Sequence, residues 1–466
     1  MKTYLFYDIE TSGLNPAFDQ ILTFACIRTD MELNEIDRQT ITIRLRKDIV
    51  PSPGAFLTHG LTPDELESGI CEYKAALKIH KILNTPGTIS LGYNSLGFDD
   101  EFLRFTFYRN LLDPYTHQYS NGCSRMDILP ITVIFRIFHP DSLQWPQMDE
   151  KPSLKLDLIA KENNFVTSGR AHEAMSDVEA VIALSRKWFQ QKDIWKYCLD
   201  FFNKTRDEVR INSIKKEFSV QNKRFRICLM VSTSFGAKAN YMVPVIHLGQ
   251  SMAYKNQNLW LRLDSDDILG MDKKVDVNDT FVIRKRPADA LIVLPALERF
   301  WEKISKTSQQ LANENMEKIC HHWERFFEFV QHHCAYKYPF VPNMDPDAAL
   351  YQDGFFSSLE KKESRQFHKA LDHQKQDVAK KIKSVRIKIL VRRIFARNFE
   401  DNIDPRYLGR LRSLLQKDQI IGYKNDIKFN CEQGLQEIEK IEQSLLNPGQ
   451  DQKTMLNWLQ NYIKKL

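Results

Sequence analysis

Two acids separated by one residue are the first groups in this chain that could do chemistry: Tyr7-Asp8-Ile9-Glu10-Thr11. They close the apolar run Tyr4-Leu5-Phe6-Tyr7. If that run is a strand, side chains alternate between faces and both carboxylates project to the same side. Neighbouring carboxylates repel, and taking them out of water is costly unless a cation sits between them. The pair reads as half of a divalent-metal cage. The candidates for the other half lie far along the chain. Asn94-Ser95-Leu96-Gly97-Phe98-Asp99-Asp100 leads from a strand into a helix, with both acids in its first turn. An acid there also favours the helix dipole, which is reason enough for one of the two. His172-Glu173-Ala174-Met175-Ser176-Asp177 leads into another helix. Asp177 stands among Ala174, Val178, Ala180 and Val181, where an acid needs a partner. A lone histidine before a helix is more often a surface or capping residue, so His172 counts only in company with the acids.

The elements that must position these groups are legible as an α/β pattern over the first 200 residues. Strand candidates rich in β-branched and aromatic residues run over 3–9, 20–29, 38–46 and 88–93. Thr62-Pro63-Asp64-Glu65 is a capping box with proline at the first helical position. Residues 98–112 carry apolar side chains at helical spacing, and 126–138, 154–163 and 172–190 complete the helix set. Strands followed by mixed strands and helices imply a central mixed sheet covered by helices. From about 201 to 295, short β-like runs (226–233, 241–247, 258–263, 280–284) alternate with turn residues. From about 294 the pattern is helical. The division expected is 1–197, 198–344 with trailing helices, and a helical 345–466.

A chain of 466 residues is too long for one core. With 42% hydrophobic and 27% charged residues it has the composition of a globular protein. No run approaches the roughly 20 apolar residues that span a bilayer, so no membrane is expected. The N-terminus does not read as a signal peptide. The eight cysteines are scattered without a Cys-x-x-Cys pair, which suits reduced thiols in a cytoplasm. Cys320-His321-His322 and His332-His333-Cys334 have no turn to present zinc ligands and are not read as a zinc site. The net charge of +6 is uneven. Residues 351–466 hold 23 Lys/Arg against 15 Asp/Glu, a surplus that favours a polyanionic partner. The plainer reading of that block is a solvated helix face.

Asp-x-Glu-Thr, Asn-x-x-x-Phe-Asp, and His followed five residues later by Asp together resemble the histidine-containing branch of the DEDD exonuclease superfamily. Gly92-Tyr93-Asn94, Phe98-Asp99-Asp100-Glu101, Phe107-Tyr108-Arg109-Asn110 and Asp113-Pro114-Tyr115 resemble the bacterial exodeoxyribonuclease I family. So do Leu350-Tyr351-Gln352-Asp353-Gly354-Phe355-Phe356-Ser357 and Ala396-Arg397-Asn398-Phe399. The resemblance implies a ribonuclease H-like nuclease domain, an SH3-like β-rich domain and an α-helical C-terminal domain. It implies an Mg2+-dependent, 3′-to-5′ exonuclease that degrades single-stranded DNA to 5′-mononucleotides in repair and recombination. Two Mg2+ ions, with Mn2+ as substitute, would neutralise charge on the attacking and leaving oxygens. Asp8 would bridge them, Glu10 and Asp177 would hold one, and Asp99, preferred to Asp100 because it follows Phe98, the other. His172 would take a proton from the attacking water.

A strand track needs cations for phosphates and rings for bases. Arg104, Tyr115, Tyr119, Arg125 and Lys155 are the candidates, with core packing or solvated surface as the alternative for each. Asn94 and Phe98 are expected to shape the pocket for the terminal nucleotide, beside Glu10 and Thr11. The basic helical domain is expected to clamp the strand through residues such as Lys380, Lys381, Lys383, Arg392 and Arg393. The resemblance also implies a partner, the single-stranded DNA-binding protein; a monomer is expected. Three rival readings are an RNA exonuclease of the same superfamily, a polymerase proofreading subunit and a non-catalytic nucleic-acid-binding scaffold. The length argues against the first, the basic C-terminal part against the second, and the five intact positions against the third.

Overall fold

The computed structural model describes all residues except 1, 149–150, 166–172, 267, 269–280, 400–405, 407–408, 410–419 and 445–448. The chain forms two compact units. One comprises Met1–Arg125, Val166–Ile182 and Phe340–Leu466, the other Met126–Phe165 and Ala183–Pro339.

In the first unit, β1 (Thr3–Thr11), β2 (Ile21–Thr29) and β3 (Glu35–Thr42) form an antiparallel ribbon. Helices α1 (Pro53–His59), α2 (Pro63–Ser68) and α3 (Glu72–Leu83) follow. The predicted capping box opens α2, with Thr62 and Glu65 satisfying each other's backbone amides. The chain then returns as β4 (Thr88–Gly92), parallel to β1, and enters α4 (Asp99–Arg109) and β5 (Ser124–Asp127). The sheet order is β3-β2-β1-β4-β5, the mixed sheet expected of a ribonuclease H-like core. Leu5, Tyr7 and Ile9 of β1 point into a core completed by Ala75, Ile79, Phe102, Leu103 and Phe107 from α3 and α4. Because side chains alternate along a strand, Asp8 and Glu10 are left on the other face. Gly92 brings β4 close to β1: a Cβ there would stand 2.7 Å from the Tyr7 carbonyl oxygen.

The C-terminal helices belong to the same unit. Leu350, Phe356, Phe367, Ile387, Leu390 and Phe395 share a core with Phe18, Tyr73, Phe105 and Tyr108. Ile438, Leu456, Leu459 and Ile463 cover Leu22, Val50, Phe56 and Leu66. Buried charges tie the two regions as well. Arg397 Nη2 lies 2.8 Å from Asp48 and 2.5 Å from Asp347. Arg393, expected as a clamp cation, is buried in helix Val385–Asn398 and paired with Asp345 and Asp347 at 2.6 and 2.8 Å. That expectation is corrected: an arginine facing the core of an amphipathic helix cannot reach a strand. Lys380, Lys381, Lys383 and Arg392 are exposed.

In the second unit come α5 (Ile128–Phe138) and α6 (Leu156–Glu162), with α7 (Ala174–Phe189) running from the first unit into it. A five-stranded antiparallel sheet has the order Val282–Lys285, Asn258–Arg262, Met242–Gln250, Ile227–Val231, Ile292–Pro295. Helices Lys306–His321 and Trp323–Ala335 pack Ala312, Ile319, Phe326 and Phe329 onto it. The helical stretch expected from about 294 begins later, because residues 294 and 295 close the strand Ile292–Pro295. A four-residue apolar run has no period that separates the two, and pairing with Ile227–Val231 decides it. All eight cysteines are free thiols. Among the described residues, no helix is long and apolar enough to cross a membrane.

Candidate active site

β1 ends on an irregularity. Its register with β2 slips between Glu10 and Thr11, so that Glu10 faces Thr23 and Thr11 faces Ile21. Such bulges re-aim side chains and are frequent beside active sites. Asp177, in the first turn of α7, meets the two strand acids. One carboxylate oxygen from each of Asp8, Glu10 and Asp177 lies within 4.8 Å of the others. Asp99, the first residue of α4, is buried beside them. Burial, then the charges of Asp99, Asp177 and Glu10, holds the Asp8 carboxyl well above its usual range. Burial followed by Asp177 and Asp99 pushes Glu10 up to about 8. Acids on three elements thus disfavour ionisation of Asp8 and Glu10. A divalent cation relieves that repulsion, and an all-carboxylate donor set suits a hard ion such as Mg2+ or Mn2+.

The neighbouring Asp100 has different company. Its Oδ1 accepts from the buried Tyr7 hydroxyl at 2.8 Å, its Oδ2 accepts from Arg125, and Arg104 stands 3.9 Å away. Burial alone would raise its carboxyl, but Arg125 and Arg104 outweigh that and hold it below the usual range. The same burial, with Asp100 and Asp99 nearby, keeps the Tyr7 phenol protonated as a donor. Arg125, a candidate strand contact by its sequence position, has its guanidinium on Asp100.

The surroundings of the remaining candidates differ. Asn94 is exposed in the left-handed region, φ 63°, where asparagine is tolerated. Its carbonyl accepts from the Gly97 and Phe98 amides at 3.1 and 3.2 Å, closing the turn that delivers Asp99. Phe98 is half-buried against Phe102, ring centres 4.9 Å apart. Thr11 is buried and its hydroxyl donates to the Gly13 carbonyl at 2.8 Å. Arg104 is engaged by Glu101, lies 3.5 Å from the Tyr351 hydroxyl, and covers the Tyr115 ring at 5.6 Å. Tyr115 meets Phe355 edge-on at 5.4 Å. Tyr119 and Phe355 are 67% and 77% exposed, so these rings are open to solvent. Lys155 is exposed at the N-cap of α6, in the other unit. His172 lies outside the described residues. Among the described residues, the cysteines and histidines between 320 and 334 form no metal-sized cluster.

Sequence reading missed Tyr7, Tyr351 and Phe355 as members of this neighbourhood. Tyr7 looked like strand core, which its ring is. In Phe355-Phe356 one ring is exposed and the next nearly buried, a difference that residue type does not carry.

Comparison with known proteins agrees with this geometry. Residues 5–185 match an exonuclease family and residues 344–466 an exonuclease I C-terminal domain. Exodeoxyribonuclease I of Buchnera aphidicola subsp. Acyrthosiphon pisum is 35% identical over 64% of this chain and 70% of its own length. The Escherichia coli K12 exodeoxyribonuclease I is 29% identical over 94% of this chain and 95% of its own. The zinc-ion-bound E. coli ExoI–ssDNA complex superposes with a TM-score of 0.84 at 25% identity, covering 100% of this chain and 99% of that one. Nuclease region, C-terminal region and overall fold point the same way: the chain belongs to the exodeoxyribonuclease I family and is an exonuclease.

Proposed function

We propose that this chain degrades single-stranded DNA from the 3′ end to 5′-mononucleotides, with Mg2+ held by Asp8, Glu10, Asp99 and Asp177. The observation that carries the reading is the convergence of Asp8, Glu10 and Asp177 within 4.8 Å, with Asp99 raising the carboxyl groups of two of them. When bound, the divalent ions supply Lewis-acid neutralisation of charge on the attacking and leaving oxygens. The acids keep the cations in place; being acceptor-only when ionised, they are poor donors to a phosphate and leave that task to others. His172 accepts the proton of the attacking water, a role its imidazole suits near neutral pH. Phe98 and the Asn94 turn shape the pocket for the terminal nucleotide, beside Glu10 and Thr11. Tyr115 and Tyr119 offer ring faces to the bases, Arg104 holds the Tyr115 ring, and Lys155 meets a phosphate.

The exposed cations of the helical region, Lys380, Lys381, Lys383 and Arg392, favour a long polyanion and processive movement through many screened contacts. In the same reading the enzyme is a cytoplasmic monomer acting in DNA repair and recombination beside the single-stranded DNA-binding protein. Its domains divide at 197/198 and 344/345.

The test is digestion of end-labelled DNA single strands, matched RNA and duplex, with Mg2+ and with chelator. Mg2+-dependent release of 5′-mononucleotides from the 3′ end of the DNA single strand is expected. Equal rates on RNA, or undiminished activity in chelator, would overturn it.

A further inference from the structure

Asp8 and Asp99 sit on different elements, so the distance between them is set by whatever locks α4 to β1. The lock is made by their chain neighbours. Tyr7 precedes Asp8, and its ring lies in the core on the opposite side of the strand, stacked on Phe24 with ring centres 5.8 Å apart. Asp100 follows Asp99 in the first turn of α4. The Tyr7–Asp100 hydrogen bond of 2.8 Å therefore joins the residue before one acid to the residue after another. Arg125 grips the second Asp100 oxygen, so the carboxylate is held from both sides and the first turn of α4 cannot roll about the strand end.

We propose that Tyr7 is a positioning residue whose hydroxyl, through Asp100, sets Asp99 at the separation from Asp8 that lets the four carboxylates take a divalent ion. This rests on the metal-site reading above. The Tyr7 side chain lies in the core, on the face of β1 opposite the acids. Removing its hydroxyl leaves the ring's packing in place and takes one hydrogen bond from Asp100, so the fold survives and the defect that marks the role is in ion affinity. Loss of such a supporting partner typically weakens metal binding or activity by about 10–100-fold.

The experiment is calorimetric titration of Mn2+ into the full chain without DNA, for the parent, Tyr7→Phe, Arg125→Gln and Asp8→Asn. Melting of each in chelator is recorded alongside. Tyr7→Phe is expected to fold and to bind Mn2+ about tenfold or more weakly than the parent. Its turnover should recover as Mn2+ is raised, so that the metal concentration for half-activity moves more than kcat. Arg125→Gln, which loosens the same carboxylate from its other side, is expected to weaken Mn2+ binding too, and serves alone if Tyr7→Phe does not fold. Parent-like Mn2+ affinity in the variants that fold, with or without a lowered melting temperature, would overturn the proposal. Asp8→Asn separates the two readings: if it loses Mn2+ while Tyr7→Phe keeps it, only the cross-tie fails. If Asp8→Asn itself binds like the parent, the metal site is wrong.

Discussion

Asp99 and Asp100 are consecutive, both buried, and opposite in electrostatic role: Asp99 raises the carboxyl groups of Asp8 and Glu10, whereas Asp100 is neutralised by Arg125 and Arg104. Asp100 already has its cations. Asp99→Asn removes a charge that repels Asp8 and Glu10 and should fold. Its turnover should fall by roughly a thousandfold or more, the equivalent of several kcal/mol of lost charge stabilisation. Asp100→Asn should instead destabilise, by about 3 kcal/mol, since breaking a buried pair leaves a guanidinium uncompensated. Thermal melts and single-turnover rates on both variants check the contrast. A stable, inactive Asp100→Asn beside an active Asp99→Asn would reverse the assignment.

Metal removal should be visible without any substrate. A ligand that binds only the folded state stabilises it by about 2.7 kcal/mol at 100 times its Kd. Adding Mg2+ or Mn2+ to the metal-free chain should raise its melting temperature by a few degrees. The rise should vanish in Asp8→Asn. An equal rise in both would mean that the ions act elsewhere.

How much of this centre the sequence carried can be judged residue by residue. The two-residue spacing of Asp8 and Glu10 is enough to put both on one face, because strand alternation is a local property. The choice between Asp99 and Asp100 rested on a motif; that Asp100 is engaged by Tyr7 and Arg125, 93 and 25 residues away along the chain, no local pattern carries. Arg392 and Arg393 are the clearest failure of composition. Both count equally toward the basic surplus, yet helix Val385–Asn398 turns one to solvent and the other onto Asp345 and Asp347. Charge counts do not know which face of a helix is covered, and the strand Ile292–Pro295 was hidden for a similar reason: its partner is remote.

Acid should unfold the first unit through its buried ion pairs. Burial would raise the Glu72 carboxyl, but Arg109 and Arg46 outweigh it and hold it at about 2. The folded value lies below the ordinary one near 4.5, so the stabilisation is fully present above about pH 4.5 and is lost as pH falls toward 2. Glu72→Gln should lower stability at neutral pH by about 3–5 kcal/mol, because the buried Arg109 loses its carboxylate and Arg46 keeps only Asp48. It should also flatten the melting temperature between pH 4.5 and 3. A parallel pH profile for variant and parent would remove Glu72 from the account.

The exposed and buried cations of the helical region should separate by phenotype. Neutralising Lys380, Lys381, Lys383 and Arg392 together should leave the melt unchanged and shorten the run length on DNA. The slope of log K against log salt should fall by about 0.7 for each phosphate that the variant no longer neutralises. Arg393→Ala should lower the melting temperature with little change in that slope. A quadruple variant with parental run length and salt slope would end the idea of a basic track.

Phe355 offers the sharpest test of the strand path, because its ring is 77% exposed yet held edge-on against Tyr115, whose ring is also covered by the Arg104 guanidinium. A base stacked on such a ring is worth about 1–3 kcal/mol. Phe355→Ala should therefore raise KM for single-stranded DNA by roughly 5- to 150-fold. Its kcat should stay within a small factor, since the ring stands outside the acid cluster. Phe355→Leu should recover little, because it restores bulk without a π-face, and Phe355→Trp should recover most. If alanine and leucine both bind DNA like the parent, the bases do not pass over Phe355, and the Tyr115–Phe355 pair is a seam between the nuclease and helical regions.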